Sequence, residues 1–489
     1  MNETDHFFDW KGFKFSLKLA AVFLGTATLG HYTLLYVQPY LEPAASTTIV
    51  TEQKAPFVSV VTAEPISSTT PVRIINSLSI ADVVPKEGKF IAADLSAMKL
   101  YLYQDGAMTA EYPIITKGRP GTPWETPGGF YSILSKERTH FSTIGKVYMP
   151  YSLQIYGNYF IHGWTYYPDG TPVSASFTGG CIKLSTEDAA SVFAFADKGT
   201  GVFVYDNKKT SVETSVILGS LAAPRISAAS YLVADVDTGD VFLERNAEVP
   251  QPIESVTKLM TALVANEIVS FDKKISVAKG KLTHPENADD TVPETFLVGD
   301  LFYPLLMESN NTVADALAKY YGTTGFIGWM NTTAKALDMQ STYFADASGI
   351  SESNVSTPDD LFRLAVYLAN KKSFVFKITS TPDKDVTAYD GTSYHFSNSN
   401  ALASYTDFIG GHVGRTSPAQ DTMLSVFSVP LNEEKRRVAV VVLGSNNYAT
   451  DTEELASWFM KSAEQGSNLI GTSCASCAKT PKYRKIDIK

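Results

Sequence analysis

The chain has 489 residues, of which 44% are hydrophobic and 19% are charged, and its formal net charge is -10. This length predicts two or three domains with apolar cores, and the acidic balance without a long basic run argues against nucleic-acid binding. The 3 cysteines are too few for a disulfide scaffold. Cys474 and Cys477 are spaced for one small disulfide in an oxidising compartment, whereas a metal site would need more ligands than this segment offers.

The first clear pattern is Leu19–Val37, which contains no Asp, Glu, Lys or Arg and is about as long as a bilayer-spanning helix. It is too long for the core of a signal peptide, and no small-x-small cleavage site ends it. Lysines precede the span, which places the N-terminus in the cytoplasm and the rest of the chain outside. We therefore predict a cytoplasmic start and a transmembrane anchor over residues 1–41. A buried core helix is the alternative.

Residues 42–87 are rich in Ser, Thr, Pro, Ala and Val without helical periodicity, which is typical of an extended linker. Short strand-like runs and turn residues follow over residues 88–208. Asp105-Gly106 predicts a hairpin turn, since this pair favours positive φ. Ser185 resembles the first residue of a capping box, for a helix that ends near Gly199. The pattern predicts a mostly β domain.

Within this domain, Cys181 follows a Gly-Gly pair, and His162 stands nineteen residues before it. A thiol needs a base or a positive field to become a nucleophile near neutral pH, and a histidine brought close by the fold can act as that base. An isolated cysteine and histidine more often have structural roles. The catalytic interpretation therefore depends on the surrounding motifs.

Those motifs resemble the catalytic domain of L,D-transpeptidases, the YkuD-like peptidoglycan enzymes. They fall in the family's order: Asp94-Leu95-Ser96, Asp105-Gly106, Thr126-Pro127-Gly128, Met149-Pro150-Tyr151, Ile161-His162-Gly163 and Gly180-Cys181-Ile182. The resemblance implies that the donor stem peptide acylates Cys181 and that His162 is the general base. It also implies substrate contacts at Gly163, Gly179, Gly180 and Lys183, with backbone N–H groups of residues 179–181 as the oxyanion hole. Gly179 stands where the family usually has a second His, and Lys183 replaces its usual Arg.

A different pattern begins after a predicted connector over residues 209–222. Two strands joined by a hairpin are predicted between residues 231 and 244, and a helical face follows from residue 252 to 264. Ser255 and Lys258 are three residues apart, so they lie on one side of that helix. A partly desolvated lysine can lose its proton and activate a serine hydroxyl. By itself this pattern is weak, because a solvated helix face explains most occurrences.

Two further elements follow in the order and spacing of the serine penicillin-recognising enzymes. They are Ser309-Asn310-Asn311 and, about a hundred residues later, His412-Val413-Gly414. Residues 223–463 thus resemble the D-alanyl-D-alanine carboxypeptidases among the low-molecular-mass penicillin-binding proteins. The resemblance implies Ser255 as nucleophile, Lys258 as its base and Ser309 as a proton shuttle. The substrate-binding positions that it implies are Asn311, His412, Gly414, Arg415 and Thr416.

The third element departs from the family, because His412 and Val413 replace the Lys-Thr pair that holds the substrate's terminal carboxylate. Losing one charge-assisted hydrogen bond costs roughly 1.5–3 kcal/mol, which is about ten- to a hundred-fold in rate. Arg415 and Thr416 are close enough in sequence to compensate. The alternative is a folded, non-catalytic domain that still binds peptidoglycan.

Together these patterns predict a multidomain protein. A transmembrane helix precedes a mostly-β L,D-transpeptidase-like domain (88–208), an α+β serine β-lactamase/penicillin-binding-protein-like domain (223–465) and a disordered basic tail (466–489). We expect a membrane-anchored enzyme outside the cytoplasm, in the periplasm or at the cell wall, which cross-links peptidoglycan through Cys181 while Ser255 trims pentapeptide stems to tetrapeptide donors. Expected partners are peptidoglycan stem peptides, the membrane and β-lactam inhibitors, without nucleic acid, cofactor or metal. A non-catalytic C-terminal module and a wall scaffold with two inactive sites are the alternatives.

Overall fold

Alternation of apolar and polar residues gives the first domain its strands, which turn apolar side chains toward a common core. The computed structural model describes residues 80–143, 145–174, 179–206, 216–269, 271–278, 293–416, 420–431, 434–472 and 483–486. The elements of the first domain are α1 (Ile80–Val83), β1 (Lys89–Asp94), β2 (Lys99–Gln104), β3 (Ala107–Pro113), β4 (Gly129–Ser132), β5 (Ser135–Ser142), β6 (Val147–Tyr156), β7 (Tyr159–His162), β8 (Ile182–Lys183), α2 (Thr186–Phe195) and β9 (Gly201–Tyr205).

Two sheets make up this domain, which confirms that it is mostly β. One has the strand order β3-β2-β1-β9-β4 and the other β5-β6-β7-β8, and the buried faces of both sheets share a core with α2. Asp105 and Gly106 form the predicted hairpin turn, with φ angles of 52° and 80°. Ser185 caps α2 by accepting a hydrogen bond from the N–H of Asp188, and α2 ends at Phe195 rather than near Gly199.

The second domain combines a large sheet with helices. Its elements are β10 (Ser230–Asp235), β11 (Asp240–Arg245), β12 (Gln251–Pro252), a 3-10 turn (Glu254–Val256), α3 (Thr257–Ile268), β13 (Lys274–Ala278), β14 (Pro293–Leu297), α4 (Val298–Met307), α5 (Asn311–Tyr321), α6 (Thr323–Ala336), β15 (Val355–Ser356), α7 (Pro358–Lys371), α8 (Ser373–Thr379), β16 (Asp383–Thr387), β17 (Ser393–Ser397), a second 3-10 turn (Ala401–Ser404), β18 (Phe408–Thr416), β19 (Gln420–Leu431), β20 (Glu434–Ser445), α9 (Tyr448–Thr472) and β21 (Arg484–Lys485).

Six strands form the main sheet of this domain, in the order β18-β19-β20-β10-β11-β21. Apolar residues of α9 pack on one side of the sheet, and most of the helices share a core on the other side. All 12 residues of α3 are buried, which is the pattern of a helix at the centre of a domain rather than at its surface. The structure thus has the predicted α+β arrangement of the second domain. Both domains lie within one compact unit that comprises Ser67–Lys489.

The two ends of the chain differ from the predictions where they are described. Residues 80–83, assigned to the linker, form α1, and Ile80 and Val83 pack against a small cluster on the first sheet. Residues 466–472, assigned to a disordered tail, continue α9, and β21 pairs with β11. Arg484 in β21 forms ion pairs with Glu244 and, at 2.7 Å, with Asp359. Residues 483–486 are too few to show periodicity in the sequence. The ion pairs of Arg484 and the burial of Ile486 hold them in place.

The predicted transmembrane helix and most of the predicted linker lie outside the described residues, as do Cys474 and Cys477. Among the helices in the described ranges, none is both long enough and apolar enough to cross a bilayer.

Candidate active sites

The cysteine site forms where two short strands run side by side. Strands β7 and β8 pair in parallel, with His162 directly opposite Lys183. Side chains alternate between the faces of a strand, so Cys181, two residues before Lys183, lies on the same face as His162. All three line one cavity of about 740 Å³. The fold therefore brings the predicted nucleophile and base to one wall of one cavity.

A hydrogen bond determines which nitrogen of His162 can act as the base. Nδ1 lies 2.6 Å from the carbonyl oxygen of Gly163. Because a carbonyl only accepts, Nδ1 carries the proton and Nε2 keeps its lone pair. Burial lowers the pKa of His162 to about 4, and the charge of Lys183 acts in the same direction. The imidazole is thus neutral near pH 7 and ready to accept a proton.

The thiol of Cys181 is protonated at rest. Burial raises its pKa to about 11, and Sγ lies 3.6 Å from the carbonyl oxygen of Asn158. The resting pair is therefore a thiol and a neutral imidazole rather than a thiolate–imidazolium ion pair. Transfer of the proton to His162 must accompany attack on a substrate.

The turn before Cys181 is tightly enclosed at Gly180 and open at Gly179. Gly180 has φ of +90°, and a Cβ there would lie 2.6 Å from the ring of Tyr159. The Thr126 hydroxyl donates to the Gly180 carbonyl at 2.8 Å and accepts from the Gly118 N–H at 2.8 Å. A Cβ at Gly179, in contrast, would meet nothing within 4 Å. The sequence motif contained Thr126, but its role in holding this turn required the structure.

The remaining predicted residues of this site lie beside the same pair. Lys183 is buried, its Nζ lies 5.3 Å from the centre of the Trp164 ring, and burial lowers its pKa. A Cβ at Gly163 would lie 3.0 Å from the Cα of Thr186. This glycine therefore lets the end of β7 approach α2 closely.

The serine site starts at a tight turn rather than inside a helix. Ser255 lies in the 3-10 turn Glu254–Val256, and Lys258 lies in the first turn of α3. Lys258 Nζ is 2.8 Å from Ser255 Oγ and 2.6 Å from the carbonyl oxygen of Ser348. Glu254 has φ of 51°, a left-handed conformation that costs a non-glycine residue roughly 1–3 kcal/mol. Such strain is common at functional sites.

Burial makes Lys258 a suitable base. It lowers the pKa of Lys258 to about 7, although nearby carboxylates, of which Asp346 contributes most, oppose the shift. A substantial fraction of the amine is therefore neutral near pH 7 and can accept the hydroxyl proton of Ser255.

Strand β18 forms the wall opposite the serine. It is an edge strand of the six-stranded sheet, and a Cβ at Gly414 would lie 2.9 Å from the backbone nitrogen of Ser255. His412 is 2% exposed, and burial together with the nearby Lys258 lowers its pKa to about 3. Its Nε2 is buried and makes no hydrogen bond within the described part of the chain. His412 therefore supplies no positive charge where the family has a lysine.

The other predicted positions of the serine site are less closely grouped. Ser309 joins α4 to α5 with φ of 57°, whereas Asn311 is exposed at the start of α5. Arg415 is exposed, and its guanidinium lies 5.0 Å from the centre of the Tyr448 ring. Alternation along β18 places Arg415 on the face opposite Gly414, so its side chain turns away from Ser255. The compensation expected from Arg415 stays a prediction, and it requires this side chain to leave the Tyr448 ring. The side chain of Thr416 lies outside what the structure describes.

A loop whose role the sequence did not indicate completes the serine site. The Asp346 carboxylate accepts from the backbone N–H groups of Ser348, Gly349 and Ser351 at 2.8, 2.6 and 2.7 Å. A Cβ at Gly349, where φ is +84°, would lie 2.1 Å from the carbonyl oxygen of Glu254. The loop is thus fixed against the turn that contains Ser255, with the Ser348 carbonyl aimed at Lys258. Its sequence signal was Asp346 two residues before the pair Ser348-Gly349.

Within the described ranges, no cluster of three or more His, Cys, Asp or Glu side chains could hold a metal ion.

The structure thus has two domains with one candidate site each, a cysteine–histidine site in the sheet domain and a serine–lysine site in the α+β domain. A family model for D-alanyl-D-alanine carboxypeptidase matches residues 219–447, and a model for the L,D-transpeptidase catalytic domain (YkuD) matches residues 88–204. The chain belongs to the D-alanyl-D-alanine carboxypeptidase family, and residues 88–204, on the N-terminal side of that region, match the L,D-transpeptidase catalytic domain.

Curated relatives match the chain over part of its length. It is 29% identical over 244 residues to the D-alanyl-D-alanine endopeptidase of Escherichia coli, covering 48% of this chain and 78% of the relative. It is 30% identical over 213 residues to the D-alanyl-D-alanine carboxypeptidase DacB2 of Mycobacterium tuberculosis, covering 42% of this chain and 72% of the relative. It is 32% identical over 183 residues to the D-alanyl-D-alanine endopeptidase of Pseudomonas aeruginosa, covering 36% of this chain and 59% of the relative.

Solved structures also match about half of the chain. A D-alanyl-D-alanine carboxypeptidase from Mycobacterium tuberculosis has a TM-score of 0.43 and 25% identity, covering 50% of this chain and 95% of that one. Penicillin-binding protein D2 from Listeria monocytogenes, in the ampicillin-bound form, has a TM-score of 0.43 and 29% identity, covering 49% and 100%.

Proposed function

We propose that this protein cross-links peptidoglycan by L,D-transpeptidation at Cys181 and trims stem peptides at Ser255. The observation on which this depends is the placement of Cys181 and His162 on one cavity wall, with Nδ1 of His162 bound to the Gly163 carbonyl. The serine site would remove the terminal D-Ala from pentapeptide stems. The resulting tetrapeptides would be donors for the cysteine site, and their release by the same chain would raise the local donor concentration.

At the cysteine site, Nε2 of His162 takes the thiol proton as Sγ attacks the carbonyl carbon that precedes the last D-Ala of the tetrapeptide. Backbone N–H groups of the 179–181 turn stabilise the tetrahedral oxyanion. As the intermediate collapses, the peptide bond breaks, the D-Ala amine takes the proton from His162, and a thioester remains on Cys181. The side-chain amine of a neighbouring stem then attacks the thioester, losing a proton to His162, and this proton returns to the departing sulfur.

At the serine site, neutral Lys258 takes the hydroxyl proton as Ser255 Oγ attacks the carbonyl between the two terminal D-Ala residues. The bond between them breaks, and Ser309 would pass the proton from Lys258 to the departing amine. Water hydrolyses the ester on Ser255, with Lys258 as base.

The same proposal places both domains outside the cytoplasm, on a single-pass anchor formed by Leu19–Val37. This location follows from the charge distribution around the span, and protease accessibility of the C-terminal domain in intact spheroplasts tests it. Protection of that domain from the protease would refute the orientation.

Peptide-resolved mass spectrometry tests both sites in the purified full chain. We expect a carbapenem adduct on Cys181, a slower penicillin adduct on Ser255, and a stem-peptide dimer from a disaccharide-tetrapeptide substrate. Cys181→Ala is expected to abolish the dimer and to leave the Ser255 adduct, and Ser255→Ala to have the converse effect. Dimer formation by the Cys181→Ala variant would refute the assignment of the cysteine.

A second candidate treats the α+β domain as a non-catalytic module that binds peptidoglycan. The neutral, buried His412 favours it, since no cation stands there for the substrate carboxylate. The Ser255–Lys258 geometry favours catalysis instead. Absence of a Ser255 adduct after long exposure to penicillin would decide for the binding module.

A further inference from the structure

The two domains meet beside the cysteine cavity. Asn266 and Glu267 lie in the last turn of α3. The Asn266 side chain donates to the carbonyl oxygen of Pro123 at 2.9 Å, and the Tyr156 hydroxyl donates to Glu267 at 3.1 Å. A Cβ at Gly157 would lie 2.4 Å from the Glu267 carbonyl oxygen. The second domain therefore packs closely on two segments of the first, residues 121–126 and 156–159.

Lys372 lies at the same interface. It is the C-cap of α7 and is 0% exposed. Its Nζ donates to the carbonyl oxygen of Glu125 at 3.3 Å and to the hydroxyl oxygen of Tyr159 at 3.1 Å, and it lies 5.4 Å from the centre of the Tyr159 ring. A buried amine requires hydrogen bonds to offset its lost hydration. Both of these partners belong to the first domain, so they also fix the position of Lys372 between the domains.

Of these partners of Lys372, Tyr159 itself encloses Gly180, and Glu125 lies between two other residues that contact the Gly180 turn. A Cβ at Gly180 would lie 2.6 Å from the Tyr159 ring and 3.0 Å from the Trp124 carbonyl oxygen. The Thr126 hydroxyl donates to the Gly180 carbonyl at 2.8 Å. Glu125, whose carbonyl oxygen accepts from Lys372, lies between Trp124 and Thr126 in the sequence. The Lys372 amine thus holds Tyr159 and residues 124–126 together. Gly180, the residue before Cys181, packs against both.

We propose that Lys372 is a positioning residue for Cys181, acting through Tyr159 and residues 124–126. The inference rests on the proposed role of Cys181 as nucleophile. The α+β domain then completes the active site of the sheet domain, in addition to any chemistry of its own. Acyl transfer is sensitive to such support, because a displacement of about 1 Å in a reacting group can cost about a hundredfold in rate.

The test compares Lys372→Met with the wild-type full chain. The matched control is Lys377→Met, which changes an exposed lysine of the neighbouring α8. We expect the limiting rate of Cys181 acylation by a carbapenem to fall about tenfold or more in Lys372→Met. The carbapenem concentration for half-maximal rate should stay within about twofold, since Lys372 is not among the residues that line the cavity within the described chain. Penicillin acylation of Ser255, measured in the same molecules, should be unchanged.

An unchanged limiting rate at Cys181 in Lys372→Met would overturn the inference. If both sites lose activity together, Tyr159→Phe decides, because it removes the hydroxyl partner and keeps the ring against Gly180. That variant should lower the limiting rate in the same direction, and adding Lys372→Met should lower it by less than the product of the two effects. A wild-type limiting rate in Tyr159→Phe would reject the role of Lys372.

Hydrogen exchange separates this inference from the proposed function. Amides of residues 179–184 should exchange faster in Lys372→Met, while those of β10 and β20 should not change. This measurement needs no enzymatic activity. A wild-type protein without a Cys181 adduct would therefore refute the proposed function, and unchanged exchange over residues 179–184 would refute the positioning role.

Discussion

Different pH dependences are expected at the two nucleophiles of the same molecule: a steep one at Ser255 and a nearly flat one at Cys181. Lys258 acts as a base only when neutral, and its pKa is lowered to about 7. The neutral fraction is then about 90% at pH 8 and about 10% at pH 6, so acylation of Ser255 should fall about tenfold between these values. His162 has its pKa lowered to about 4. It stays almost wholly neutral over the same range, so Cys181 acylation should change by less than about twofold.

The assay measures the second-order rate constants of a penicillin at Ser255 and a carbapenem at Cys181, by peptide-resolved mass spectrometry between pH 5.5 and 8.5. Cys181→Ala and Ser255→Ala isolate each reaction, and thermal unfolding at each pH verifies that the fold persists. A flat profile at Ser255 would show that Lys258 is not the titrating base. A rate at Cys181 that rises about tenfold per pH unit would indicate direct ionisation of a thiol with a raised pKa, without His162 as base.

Three substitutions test other features of the sites. Gly180→Ala should lower Cys181 acylation about a hundredfold in the carbapenem assay, because its Cβ would collide with the Tyr159 ring at φ of +90°; wild-type rates would contradict this enclosure. Gly179→His should leave the unfolding temperature unchanged, since a Cβ there meets nothing within 4 Å. Product analysis should show a higher ratio of amine transfer to hydrolysis. An unchanged ratio would show that the missing histidine does not affect transfer. His412→Lys should speed Ser255 acylation about ten- to a hundred-fold. It should also shift the pH midpoint of that reaction downward, because a second ammonium disfavours protonation of Lys258. Slower acylation with an unchanged midpoint would refute both effects.

Local spacing made one of the two nucleophile–base pairs predictable. Ser255 and Lys258 are separated by less than one helical turn, so their contact depends little on the rest of the fold. Cys181 and His162 required the parallel pairing of β7 and β8, which no local pattern contains, and the prediction relied on the motif order instead. The strands and the hairpin at Asp105-Gly106 were also predictable, because apolar–polar alternation and turn formation depend on residues that are neighbours in the sequence.

Properties that depend on long-range packing were not predictable. The pKa of His412, about 3, results from its burial beside Lys258, and these residues are far apart in sequence. The Arg415 guanidinium lies 5.0 Å from the centre of the Tyr448 ring, a contact that the position of Arg415 beside the third motif did not indicate. Lys372 belongs to no motif at all, since its role arises where two domains meet.

The burial of Lys372 also affects how sequences of this kind can diverge. In a relative that has the α+β domain alone, the residues equivalent to Lys372, Asn266 and Glu267 would face water and could be exchanged for other polar residues at little cost. In a chain that has both domains, each of these residues is matched to a carbonyl or hydroxyl of the other domain, so a change on one side should be tolerated only with a change on the other. Paired substitutions at these positions would distinguish lineages in which the fusion is old from those in which it is recent.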